Sequence, residues 1–169
     1  KSKKVDQDNL RMAGVTSLKP ENIIVTGSPA FDELAAENDG EIVRSRVREK
    51  LKISDEEKLV AYIGGAPPND LENLKIFINN FNQANVDKEK VKFTTRIHPA
   101  IFGKGPLSAY QKDYKELIST FSGGQSIDTM GIFSTDEVAK AADIIVSAYS
   151  TEGIKAVYRG KSSLFMLLP

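Results

Sequence analysis

"DIIVSAYSTEG", Asp143 to Gly153, begins as an apolar run and ends in hydroxylated, acidic and small residues. Ile144, Ile145 and Val146 are β-branched and suit a buried, pleated strand. Ser150 and Thr151 are N-cap types, Glu152 suits a first helical turn, and Gly160 closes the helix that follows. Ile154, Val157 and Tyr158 are expected to form its one apolar face. The stretch therefore predicts a strand, a tight turn and a helix whose first amides open at the strand's carboxyl end. In a parallel sheet that is where ligands collect, so the turn reads as a holder for the phosphates and ribose of a nucleotide. A helix cap with no ligand accounts for the same residues.

Outward from this stretch, short Ile- and Val-rich runs alternate with amphipathic segments of helical length, the pattern of a parallel sheet with helices on both faces. Strands are predicted at "NIIVTG" from Asn22, "KLVAYIGG" from Lys58, "KVKFTTRIHP" from Lys90, "QSIDTM" from Gln125, "DIIVSAY" from Asp143 and "SSLFMLLP" from Ser162. Leu71, Leu74, Ile78 and Phe81 share one helical face, as do Tyr110, Tyr114, Leu117 and Phe121. Ser134 and Glu137 stand at capping-box spacing. The fold class is α/β, a Rossmann-like doubly wound domain over residues 55–169. Residues 1–54 are expected to be a lead-in segment with a strand and helices, and the charged helical stretch "EIVRSRVREKLKISDEEK" from Glu41 sits where a connection would. The chain lacks an initiator Met and stops just after a strand pattern, so it is expected to be a fragment whose N-terminal half is missing.

Composition narrows the chemistry. Lys and Arg number 23 and Asp and Glu 23, so no net charge draws the chain to nucleic acid, and the basic start "KSKK" reads as a solvated edge. There is no Cys and a single His, which excludes disulfides and thiolate metal sites, leaves no metal or cofactor expected, and fits a reducing cytoplasm. No apolar run approaches the roughly 20 residues of a membrane span.

Two more strand ends carry unusual residues. Gly64 and Gly65 end the run "YIGG", where glycine lets a ligand approach the backbone; Pro67 and Pro68 withhold amides from the same loop, so a bare tight turn fits equally. His98 precedes Pro99, which forces it into an extended conformation and projects it from the strand end. A lone histidine is often structural, but this position favours a functional one. Arg96, two residues earlier, lies on the same side of the strand and offers a cation for phosphate.

In the order "IIVTGSPAFDEL", "LVAYIGG", "RIHP" and "STDEVAKAADIIVSAYSTEGIKAVYRGKSSLFMLLP", the chain resembles the nucleotide-sugar-binding, C-terminal half of GT-B-type glycosyltransferases and their relative, the UDP-N-acetylglucosamine 2-epimerase. "SAYST" is also similar to the Ser-rich turn of the polyol-phosphate transferases of teichoic acid synthesis. The resemblance implies a donor such as a UDP-sugar or an activated polyol, a cell-envelope polysaccharide context, and room for peripheral membrane association of the parent protein. It assigns Ser150 and Thr151 to the diphosphate, His98 to a phosphate or the departing group, and Phe133 to the edge of the base. Where many members carry a ribose-binding carboxylate this chain has Lys155, with Glu152 one turn earlier as a substitute, and Ser162 stands where a proline is usual. Transfer from a nucleotide donor, epimerisation at C2, and a non-catalytic module that keeps only the fold are the three functions these residues allow.

Overall fold

The computed structural model describes residues 12, 14, 19–22, 24, 29–122, 125–126, 130–148 and 150–166. The chain divides into two compact units, Lys1–Ala36 and Glu37–Pro169. In the first, Pro20–Asn22 is a 3-10 turn and helix α1 spans Pro29–Ala36. The strand predicted from Asn22 lies largely outside the described residues, and Asn22 itself closes the 3-10 turn.

The second unit runs α2 (Gly40–Leu51), β1 (Lys58–Ile63), α3 (Asn69–Gln83), β2 (Val91–Arg96), α4 (Gln111–Ser119), β3 (Gln125–Ser126), α5 (Thr135–Ala141), β4 (Ile144–Ser147), α6 (Glu152–Tyr158) and β5 (Ser162–Phe165). All strand pairs are parallel, in the order β3-β2-β1-β4-β5. The strand "LVAYI" is thus central, with "VKFTTR" on one side and "IIVS" on the other. Of "QSIDTM", Gln125 and Ser126 form β3, and residues 127–129 lie outside the described set.

Strand β1 shows why the sheet is covered on both faces. Leu59, Ala61 and Ile63 pack with Val43 and Val47 of α2, Val138 of α5 and Ala156 of α6. Val60 and Tyr62 point the other way, to Leu74 and Ile78 of α3 and Tyr114 of α4. Side chains alternate across a strand, so a run that is buried at Leu59 through Ile63 needs a helical layer on each side. The charged segment predicted as a lead-in supplies one of those layers: α2 sinks Val43, Val47 and Arg48 inward and exposes Glu41, Arg46, Glu49 and Lys50.

Helix α6 departs from the expectation for its apolar face. Ile154, Val157 and Tyr158 are 43%, 56% and 68% exposed, whereas the buried residues are Gly153 and Ala156. The cause is close approach. A Cβ on Gly153 would stand 2.8 Å from Phe165 Cε1 and 3.2 Å from Ser147 Cβ, so only a face of small residues lets α6 seat on β4 and β5.

Charge clamps the amino end of the sheet. Asp143, just before β4, accepts from Arg44 at 2.7 Å, Arg48 at 3.0 Å and the Leu59 amide at 2.8 Å. Burial works against ionisation there, but the Leu59 amide and the two guanidinium groups prevail and hold the carboxyl below its ordinary range. The opposite end of the sheet is left to loops. No helix among the described residues is long and apolar enough to cross a membrane.

Candidate functional site

The carboxyl ends of the three central strands lie side by side. Ile63, the last residue of β1, is in register with Arg96 of β2 and Ser147 of β4. Neighbouring strands stand about 4.8 Å apart, so Gly64, the Arg96–His98 segment and the turn after Ser147 lie side by side at one edge of the sheet. The Gly64 amide carries the ladder one step further by donating to the Arg96 carbonyl at 3.0 Å.

Asp70, in the first turn of α3, shapes the glycine loop. It is completely buried, and its Oδ1 accepts from the Gly65 amide at 2.8 Å and lies 3.0 Å from Tyr62 Oη. Tyr114 donates to Oδ2 at 2.7 Å. A buried carboxylate is tolerable only with partners of this kind, and β1 through Tyr62, the loop after it through Gly65, and α4 through Tyr114 supply them. Burial, with Asp70 alongside, pushes the Tyr114 phenol well above its ordinary value, so it stays a donor. A Cβ on Gly64 would lie 2.4 Å from Asp70 Oδ2. The two glycines therefore answer first to Asp70: Gly64 makes room for the carboxylate and Gly65 binds it.

His98 is exposed at φ −55°, ψ 128°, the extended geometry that Pro99 imposes. Its Nδ1 accepts from the Ala100 amide at 3.3 Å, capping the 3-10 turn Pro99–Phe102 and leaving Nε2 to face outward as a donor when the ring is neutral. Arg96, half-buried, brings Nε to 3.4 Å from Thr135 Oγ1 at the start of α5. That start is the expected capping box: the Glu137 amide donates to Ser134 Oγ at 3.2 Å and the Ser134 amide to Glu137 Oε2 at 2.7 Å. Phe133, just before it, is 8% exposed within the layer between the sheet and α2, with Lys50 Nζ 5.9 Å from its ring centroid. Little of that ring is left to meet a base.

The turn after β4 is tied from within. Ser147, fully buried, accepts the Ser150 amide on its hydroxyl at 3.2 Å. Ser150 Oγ in turn accepts from the Glu152 amide at 3.3 Å, so Ser150 is the capping hydroxyl of α6. Thr151, at the N-cap position, makes no side-chain capping bond and is exposed. The opening run thus empties into Ser-Thr-Glu-Gly for three separate reasons: a hydroxyl to cap, a hydroxyl left facing out, and a glycine to let the helix approach.

Glu152 is held by cations. Lys155 Nζ is 2.7 Å from Oε1, and Arg159 Nη1 is 3.9 Å from Oε2. Both Oε2 and Nη1 are buried without a hydrogen-bond partner. Arg159 meanwhile binds Glu37 at 2.8 and 2.9 Å and Asp136 at 2.5 Å, and Lys140 joins the same group through Asp39 at 2.9 Å and Asp136 at 3.2 Å. The Arg159 hydrogen bond holds the Glu37 carboxyl below its ordinary value. Asp136 is lowered as well, because its bonds to Arg159 and Lys140 outweigh burial.

Of the sequence-predicted residues, Gly64, Gly65, Arg96, His98, Ser150 and Thr151 gather at the three adjacent strand ends, Glu152 sits in an ion network behind them, and Phe133 is in the core. Asp70 and Ser147 escaped the sequence reading. The signal for Asp70 was an aspartate five residues past a glycine at a helix start; for Ser147, a lone hydroxyl ending an apolar strand.

No family model matches the chain, and no curated protein matches it significantly. Solved structures do match. A structure of the wall teichoic acid polymerase TagF superposes with a TM-score of 0.52 at 16% identity, over 94% of this chain and 36% of that one. The UDP-GlcNAc 2-epimerase from Neisseria meningitidis, bound to UDP-GlcNAc, gives 0.54 at 17% identity, over 96% of this chain and 41% of that one. The fold is of the GT-B type. A variant of the same polymerase soaked with CDPG matches at 0.50 and 16% identity, over 95% of this chain and 35% of that one. This chain therefore spans well under half the length of each GT-B structure it resembles, and at such identities the likeness is one of fold.

Proposed function

We propose that this chain is the donor-nucleotide-binding half of a GT-B-type enzyme that transfers a sugar or polyol phosphate from a nucleotide-activated donor. The observation that carries the reading is the convergence of Gly64–Gly65, Arg96–His98 and Ser150–Thr151 at three adjacent carboxyl strand ends, next to the switch in strand order. Two of the solved structures that share the fold hold or were soaked with a nucleotide-linked compound, UDP-GlcNAc in one and CDPG in the other, which supports a ligand of that class here.

In this reading the glycines let the donor approach the end of β1, while their amides stay spent on Arg96 and Asp70. His98 Nε2 and the Thr151 hydroxyl meet the diphosphate, and Arg96 adds charge from below. Their catalytic share is to orient the donor and to stabilise the departing diphosphate. Glu152, engaged by Lys155, presents an ion pair at this edge of the crevice instead of a free carboxylate. Acceptor contacts and a base would come from the N-terminal half of the parent enzyme.

Calorimetric titration with UDP and CDP tests the reading through His98→Ala. His98 is exposed and makes one weak internal hydrogen bond, so the variant is expected to keep its melting temperature while nucleotide affinity falls about tenfold for each 1.4 kcal/mol of contact removed. Unchanged affinity would remove His98, and with it the phosphate end of the site, from the proposal.

A further inference from the structure

We propose that Lys161 is an acyl-acceptor amine, the lysine of this chain that anionic acyl donors, acyl phosphates above all, modify first. It stands at the far end of the sheet from the strand-end crevice, between α6 and β5, so the inference is independent of the nucleotide reading. A cavity of about 280 Å³ opens there, lined among others by Glu41, Arg44, Asp143, Arg159, Lys161 and Ser162.

Two cations converge in it on one oxygen. Lys161 Nζ donates to the Ala142 carbonyl at 2.9 Å, and Arg44 Nη1 reaches the same carbonyl at 3.4 Å while bonding Ala141 at 2.7 Å. The acids nearby do not compensate Lys161. Asp143 is taken by Arg44 and Arg48, Arg159 is taken by Glu37 and Asp136, and among the described residues no carboxylate comes within ion-pair distance of Lys161. Burial, then the Arg44 guanidinium, lower the pKa of the Lys161 amine; Asp143 and Glu41 oppose this and are outweighed, and Arg159 adds to the lowering. Lys140 is the contrast. It is buried too, but three carboxylates surround it, and they keep its amine charged despite burial.

An amine whose pKa is lowered, set in an open cavity beside a guanidinium, suits attack on a doubly charged acyl donor, its deprotonated form being the nucleophile. The Nζ lone pair bonds to the carbonyl carbon of the acyl phosphate, and the bond from that carbon to the phosphate oxygen breaks. Phosphate leaves with the electron pair past Arg44, and the surplus amine proton passes to water.

The experiment incubates the intact chain with acetyl phosphate and follows each lysine by quantitative peptide mass spectrometry, against Lys112, which is 83% exposed. Acetylation of Lys161 is expected to run several-fold faster than that of Lys112, with Lys140 last, and the order is expected to collapse in denaturant. Arg44→Gln should slow Lys161 toward Lys112. Should that variant fail to fold, the pH profile of the unaltered chain decides: the Lys161 rate should level off at lower pH than the Lys112 rate. Equal rates in the folded chain, or coincident pH profiles, would overturn the proposal.

Discussion

Ser150 and Thr151 look interchangeable in the sequence, and the structure separates them. Ser150 caps α6 through the Glu152 amide; Thr151 caps nothing. Ser150→Ala is therefore expected to cost about 0.5–2 kcal/mol of stability, the range for a lost N-cap, and Thr151→Ala close to none. Urea unfolding of the two variants checks this, and equal losses would contradict the assignment. The sequence showed that a hydroxyl would cap the helix but not which, because the choice depends on Ser147 fixing the Ser150 amide from the strand below. His98 was more legible, since the proline that follows it sets its conformation locally.

At the scale of elements, Gly64, which follows β1, and Gly153, inside α6, differ in what they hold apart. Gly64 faces the buried carboxylate of Asp70, which Tyr62, Tyr114 and Gly65 all fix, so an added methyl has nowhere to go. Gly153 faces the ring edge of Phe165, which is 41% exposed and can turn aside. Gly64→Ala should destabilise by more than the about 1–3 kcal/mol usual for overpacking, and Gly153→Ala by no more than that range. Thermal melts that rank them the other way would refute this packing account. Alternation and period made every strand of the second unit and helices α3 and α4 readable in advance. The inward face of α6 was not readable, because apolarity pointed to Ile154, Val157 and Tyr158 while the space between helix and sheet admits only Gly153 and Ala156. In α2 the charges mark a helix but hide its inward face, which rests on two valines one turn apart.

For the molecule as a whole, charge clamps the amino end of the sheet at Asp143, and the proposed site lies at the carboxyl end. Asp143, Asp136 and Glu37 all have carboxyls lowered by their partners. A depressed folded value means the stabilisation is complete above the unfolded value and is lost as pH falls through the folded one. Melting temperature is thus expected to be flat near neutrality and to drop below about pH 4, where unfolded carboxylates begin to take up protons. Asp143→Asn should lower stability at pH 7 and flatten that acid limb; a limb of unchanged steepness would show that Asp143 does not govern it. We propose that the same sheet presents one nucleotide site at its carboxyl end, and an NMR titration of the isotope-labelled chain with UDP or CDP reads it residue by residue. Saturable amide shifts are expected to cluster at Gly64, Gly65, His98 and Ser150 to Gly153, while those of Arg44, Arg48 and Asp143 at the other end stay put. Shifts that avoid the three strand ends, or none at all, would contradict it.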